Sequence, residues 1–151
     1  ATPDITLTIP STAMNVITVG AYDSRANRIA AFSGRGFTWA FDQIKPDLVA
    51  PGVDIVSCSV SGGYTAKTGT SMAAPFVTGS AALLMEWGIV MGNDRYMYGE
   101  KLKACLIKGS RENIYSAAFS ENRSSRNLPT DVKYPNPVTG WGTLCLLDSI
   151  P

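Results

Sequence analysis

Histidine is absent from the 151 residues. With it goes the commonest general base at neutral pH, so no serine or cysteine here finds an imidazole partner within the chain. Three cysteines, Cys58, Cys105 and Cys145, stand far apart with no CxxC pair, which together with the missing histidine argues against zinc. Charge is scarce. Charged residues make up 17% and the formal net charge is +1, without a basic run, so nothing in the balance draws the chain to nucleic acid. No uninterrupted apolar run reaches the roughly 18–20 residues of a membrane span. The longest, Met72 to Met91, is broken by Pro75, Gly79, Glu86 and Gly88. Neither an initiator methionine nor a signal peptide precedes Ala1-Thr2-Pro3, which reads as a processed or excised piece whose native address is not legible.

What is present is apolar substance. Hydrophobic residues reach 45%, enough for one domain, residues 1–151, with a well-buried interior. The cysteines read first as buried thiols acting as small apolar groups, with one disulfide and a spare thiol as the alternative.

Ile5 to Ile9 alternates like a half-buried strand, stopped by Pro10-Ser11. Val16 to Ala21 is a β-branched run suited to a strand covered on both faces, as in parallel sheets. Tyr22 to Arg28 is polar, and Ile29 to Phe32 returns to the core before Ser33 to Gly36 turns; Phe37 to Gln43 reads as a surface excursion. Lys45 to Gly52 predicts a very short strand closed by Pro51-Gly52, and Val53 to Val60 a further strand ended by Ser61-Gly62-Gly63. After Ser71, helical spacing of Val77, Ala81, Leu84, Met85 and Gly88 or Ile89 predicts a helix. Its many small residues let it lie close against neighbouring backbone, and Pro75 is tolerable only near its start. Tyr98 to Lys108 predicts a second helix with Leu102, Cys105, Leu106 and Ile107 inward and Lys101, Lys103 and Lys108 outward, Glu100 and Lys108 suiting its dipole. Arg111 to Pro137 is a long polar connection, and Leu144 to Leu147 a last apolar element whose final turn Asp148 would cap.

Few segments carry chemistry. Ser61 to Thr68 lacks both glycines of a phosphate-cradling loop, and Gly69 to Ala73 lacks the last glycine of a nucleophile elbow. Asn122-Arg123-Ser124 is a glycosylation sequon, meaningful only in a secretory pathway that uses it. Gly69-Thr70-Ser71-Met72-Ala73-Ala74-Pro75 places a serine at a helix start, where the positive helix end favours a nucleophile. Alone, Thr70-Ser71 reads as a hydroxyl cap of a core helix. Its neighbours change that reading.

Gly69 to Pro75 followed by Val77-Thr78-Gly79 resembles the nucleophile segment of the subtilisin-like serine proteases. Ile9 to Ala21, Phe32-Ser33 with Gly34 to Gly36, Lys45 to Gly52, and Thr139-Gly140-Trp141-Gly142 are similar to further segments of that family, in the family's order. The lead-in Lys45-Pro46-Asp47 and Tyr134-Pro135-Asn136 are similar to some bacterial intracellular and spore-germination members. The resemblance implies part of a three-layer, doubly wound α/β fold with a mostly parallel sheet, this chain supplying the C-terminal portion of the peptidase domain. It implies a serine endopeptidase of a Ser-His-Asp triad in which Ser71 is the nucleophile, Ser71 N–H an oxyanion donor, Thr70 a further hydroxyl contact and Gly69 part of the same wall.

Departures from the family pattern matter too. The family's catalytic Asp and His and its oxyanion Asn lie upstream of this stretch, and none of the twelve acidic residues sits in the Asp motif. Phe76 stands where the family commonly has a non-catalytic histidine. The isolated chain is therefore expected to be inactive, its partners being a protein or peptide substrate and the missing N-terminal half of the domain, with self-association the alternative. No cofactor is required; calcium, frequent in the family, has no clear carboxylate cluster here. Gly62-Gly63 and the backbone near Ser71 are the residues available to meet substrate. The rival reading is a pseudoprotease acting as a binding or signalling scaffold, which an upstream loss of His or Asp would produce.

Overall fold

Two short apolar runs form the centre of the molecule. In the computed structural model, which describes residues 5–38, 43–114 and 133–151, β1 (Val19–Asp23) lies parallel to a strand 29 positions later. Between them come β2 (Arg28–Ile29), β3 (Gly36–Phe37) and β4 (Ile44–Lys45). The parallel partner is β5 (Leu48–Pro51), with Val19 opposite Leu48 and Ala21 opposite Ala50. Next, β6 (Ile55–Cys58) and β7 (Tyr64–Lys67) form a separate antiparallel hairpin. The main sheet has the order β2-β1-β5, with β2 antiparallel to β1, while β3 and β4 pair with each other.

Helix α1 (Thr70–Met85) runs into a π-helical turn over Glu86–Val90, and α2 (Gly99–Lys108) and a short α3 (Leu146–Ser149) follow. The period-two alternation of β5 divides the core. Leu48 and Ala50, with Ala21, meet Ala73, Val77 and Leu84 of α1 and Leu102, Cys105 and Leu106 of α2, whereas Val49 faces Ile29, Ile114 and Val138. The far edge of β5 is closed by the C-terminal segment, since Val49 N–H donates to Gly142 O and Leu144 N–H to Val49 O, both at 2.9 Å.

Several expectations are corrected. Ile5 to Ile9 is no strand: Thr6 alone finds backbone across from it, at Arg35 O, and a turn begins at Ile9. Strand β1 starts at Val19 rather than Val16: the backbone still bends at Val16, whose carbonyl takes lysine ammonium groups, and Thr18 gives its N–H to the Asp47 side chain rather than to a strand. Phe32 is half exposed although Ile29 and Ala30 are buried. Cys105 is a buried thiol, but Cys58 is exposed, and all three cysteines are free. Lys103 turns inward to Asp47, leaving Lys101 and Lys108 on the outer face of α2. Asp148 does not cap α3; it pairs with Arg111 at 2.6 Å, and that guanidinium holds its carboxyl below the usual range. Most of the Arg111 to Pro137 segment lies outside the described residues.

The core face of α1 is Ala73, Val77, Ser80, Leu84 and then Gly88, at three- and four-residue steps. Met85 and Ile89, expected inside, lie with Leu83, Val90 and Met91 on the exposed side. Together α1 and the π-helical turn make a 21-residue run, Thr70–Val90, long and apolar enough by length and composition to cross a membrane; here one stripe of it packs on β1 and β5. Pro75 also sits deeper than expected, inside the helix. Its missing N–H would have bonded the Ser71 carbonyl one turn back, a loss worth about 3 kcal/mol in a helix interior.

Candidate active site

Ser71 occupies the second position of α1, exposed to solvent. The N-cap is Gly69, and neither Thr70 nor Ser71 caps the helix through its side chain. The hydroxyl of Ser71 therefore stays free of the structural duty that a helix-start serine usually has. Thr70 and Ser71 N–H groups belong to the first turn, where no intrahelical acceptor exists. No acidic side chain stands in that turn to offset the positive helix end. Free N–H groups, uncompensated positive potential and an accessible hydroxyl converge on one turn. That turn can hold an anion developing beside the serine oxygen.

The turn is fastened to the carboxyl end of β5, the strand parallel to β1. Gly52, directly after β5, donates its N–H to Tyr22 O at 3.0 Å and accepts Gly69 N–H at 2.8 Å. A Cβ on Gly52 would meet Ala21 Cβ at 2.6 Å and Gly69 O at 2.9 Å, so only glycine lets the strand end approach the helix start this closely. Gly69 itself has φ 157° and ψ 164°, a region that glycine almost alone populates. These two glycines place Ser71 at the carboxyl end of β5, where parallel α/β sheets carry their sites.

Gly69, Thr70 and Ser71 form the N-cap and the first two positions of α1. Gly62 and Gly63 are not with them: they lie at the tip of the β6–β7 hairpin, whose ladder opens toward Gly69 at Ile55 opposite Lys67 and closes at Cys58 opposite Tyr64. Phe76 is half exposed on α1, one turn beyond Ser71. Among the described residues no group of histidine, cysteine, aspartate or glutamate side chains could hold a metal ion.

Two braces escaped the sequence reading, one beside the site and one at the opposite, amino end of β5. One joins Asp54 and Thr68, just outside the hairpin's open end. The other is a buried cluster in which Asp47 Oδ2 accepts Lys45 Nζ at 2.7 Å and Asp47 Oδ1 accepts Lys103 Nζ at 2.9 Å. Both amines also reach Val16 O, and Lys103 reaches Met14 O. Burial pushes the Lys45 amine below its ordinary value, with the Asp47 carboxylate opposing that shift. The only sequence signal for either was the polar residues flanking an apolar run.

An exposed serine that caps nothing thus stands at the positive end of a helix, beside the carboxyl end of a parallel strand on an α/β scaffold. The comparisons give that arrangement its family. The Subtilase family (peptidase S8) model matches residues 2–142, and the chain belongs to that family. It is 49% identical over 79 residues to a thermophilic serine proteinase of Bacillus sp. (strain AK1), covering 52% of this chain and 18% of that protein. It is 41% identical over 110 residues to the subtilisin-like protease SBT6.1 of Arabidopsis thaliana, covering 70% of this chain and 10% of the relative. Among solved structures, the CspB protease of Clostridium perfringens superposes with a TM-score of 0.80 at 45% identity, over 95% of this chain and 28% of that one. The chain thus spans under a third of the length of these relatives. Its α/β architecture is that of the subtilisin-like proteases.

Proposed function

We propose that this chain is the nucleophile-bearing portion of a serine endopeptidase and that Ser71 is its nucleophile. The observation that carries the reading is the free Ser71 hydroxyl on the uncompensated first turn of α1, pinned by Gly52 and Gly69 to the end of β5. In this reading Ser71 Oγ attacks a peptide carbonyl carbon while its proton passes to a histidine supplied by the rest of the domain. The Ser71 N–H donates to the oxyanion, with Thr70 and Gly69 forming the adjoining wall. The C–N bond then breaks, the amine leaves with the proton, and water releases the acyl group. Protein or peptide is the substrate, as it is for the relatives' class. Lacking histidine, the chain alone is expected to be inactive, and the N-terminal half of the domain is its required partner.

A fluorophosphonate probe on the full-length parent tests this. Covalent labelling at Ser71, abolished by Ser71→Ala, is the expected result. A full-length protein that folds but leaves Ser71 unlabelled overturns it and favours a binding scaffold.

A further inference from the structure

Gly69 joins the β6–β7 hairpin to the nucleophile helix in a conformation open to glycine, so the residue itself supplies little stiffness. The direction of the first helical turn then depends on what holds its neighbours. Behind Gly69 stands the hydrogen bond to Gly52. Ahead of it stands Thr68, whose Oγ1 accepts the Asp54 N–H at 2.9 Å, with Asp54 Oδ1 a further 3.4 Å contact. Asp54 takes φ 52°, a left-handed conformation that non-glycine residues adopt seldom and aspartate more readily than most. Its carboxylate faces Arg25 at 3.5 Å, on the turn between β1 and β2. The hairpin beyond is exposed at Val56, Val60 and Tyr64, so its seat on the body is concentrated at its open end.

We propose that Thr68 is a positioning residue for Ser71: by accepting the Asp54 N–H it sets the Thr68–Gly69 peptide, and through it the Ser71 hydroxyl and N–H. This rests on the protease reading of Ser71. Thr68→Val keeps the shape and removes the acceptor, leaving the Asp54 N–H to solvent. Misplacing a reacting group by about 1 Å costs on the order of 100-fold in rate, and a loosened rather than displaced turn about tenfold.

The experiment measures fluorophosphonate labelling rate and peptide-hydrolysis kcat and KM in the full-length protein, normalised to titrated active sites, for wild type, Thr68→Val, Thr68→Ala and Thr68→Ser. Support is a roughly tenfold fall in labelling rate and kcat for Thr68→Val, KM within about twofold, and recovery in Thr68→Ser. Thr68→Ala carries the same reading should the valine variant not fold. Wild-type labelling rates in both hydroxyl-free variants overturn the proposal, as does an equal loss in Thr68→Ser. A change in KM alone, with kcat intact, overturns it as well. Wild type that fails to label Ser71 overturns the protease reading itself, and this inference with it.

Discussion

Replacing Asp47 by asparagine strands two ammonium groups at once. The Lys45 side chain is fully inaccessible, the Asp47 side chain is 6% exposed and that of Lys103 16%. Asp47 also accepts Thr18 N–H at 2.7 Å, so one carboxylate fastens the approach to β1, the β4–β5 connection and α2. Asparagine keeps one acceptor oxygen and turns an N–H₂ group toward an amine. Removing one partner of a buried pair costs about 3–5 kcal/mol, because a charge remains without compensation. That is a large share of the roughly 5–15 kcal/mol that holds a domain folded. Lys45→Met is the contrasting change: it deletes an amine that burial already opposes, while Asp47 keeps Lys103 and the Thr18 N–H, so the expected loss is about 1 kcal/mol or less. The two variants also differ in pH response. A lysine whose amine is held below its ordinary value binds fewer protons folded than unfolded, so stability rises with pH between the lowered value and about 10.5. With Asp47 gone, Lys45 is lowered further and that window widens, so the Asp47→Asn deficit shrinks from pH 7 to pH 10. Urea denaturation of wild type and both variants at the two pH values is the assay. An Asp47→Asn cost no greater than that of Lys45→Met, or a deficit that grows at pH 10, refutes the reasoning.

Ser71→Ala removes an exposed hydroxyl that caps nothing, so thermal unfolding is expected to show a stability change within about 0.5 kcal/mol while fluorophosphonate labelling disappears. Gly52→Ala forces a methyl against Ala21 and the Gly69 carbonyl, and labelling of Ser71 in the full-length protein is expected to fall on the order of 100-fold as the turn shifts. Cys58 is exposed and Cys105 buried, so a thiol reagent on the folded chain is expected to modify Cys58 quickly and Cys105 only after denaturant is added, with mass spectrometry as the readout.

The sequence alone determined the parts whose chemistry is local. Gly69 to Pro75 announces a helix-start serine, and motifs in family order along most of the chain announce the subtilase domain. Each is a matter of adjacent residues and the conformations open to them. The small residues along α1 mislead, since Ala73 packs but Ala74, Gly79 and Ala82 are exposed. Tertiary structure decided the rest, for a common reason. Ile5 to Ile9 has the alternation of a strand but finds no ladder, since pairing needs a distant partner that sequence periodicity does not supply. Lys103 reads as a surface lysine on α2 until Asp47, 56 positions earlier, draws it inward. Thr70 and Ser71 read as a cap, yet the cap is Gly69, because the end of β5 approaches so closely that the chain enters the helix in a conformation reserved for glycine. That approach leaves the serine hydroxyl free of capping at the first turn of α1, which no periodicity or spacing in the sequence could show.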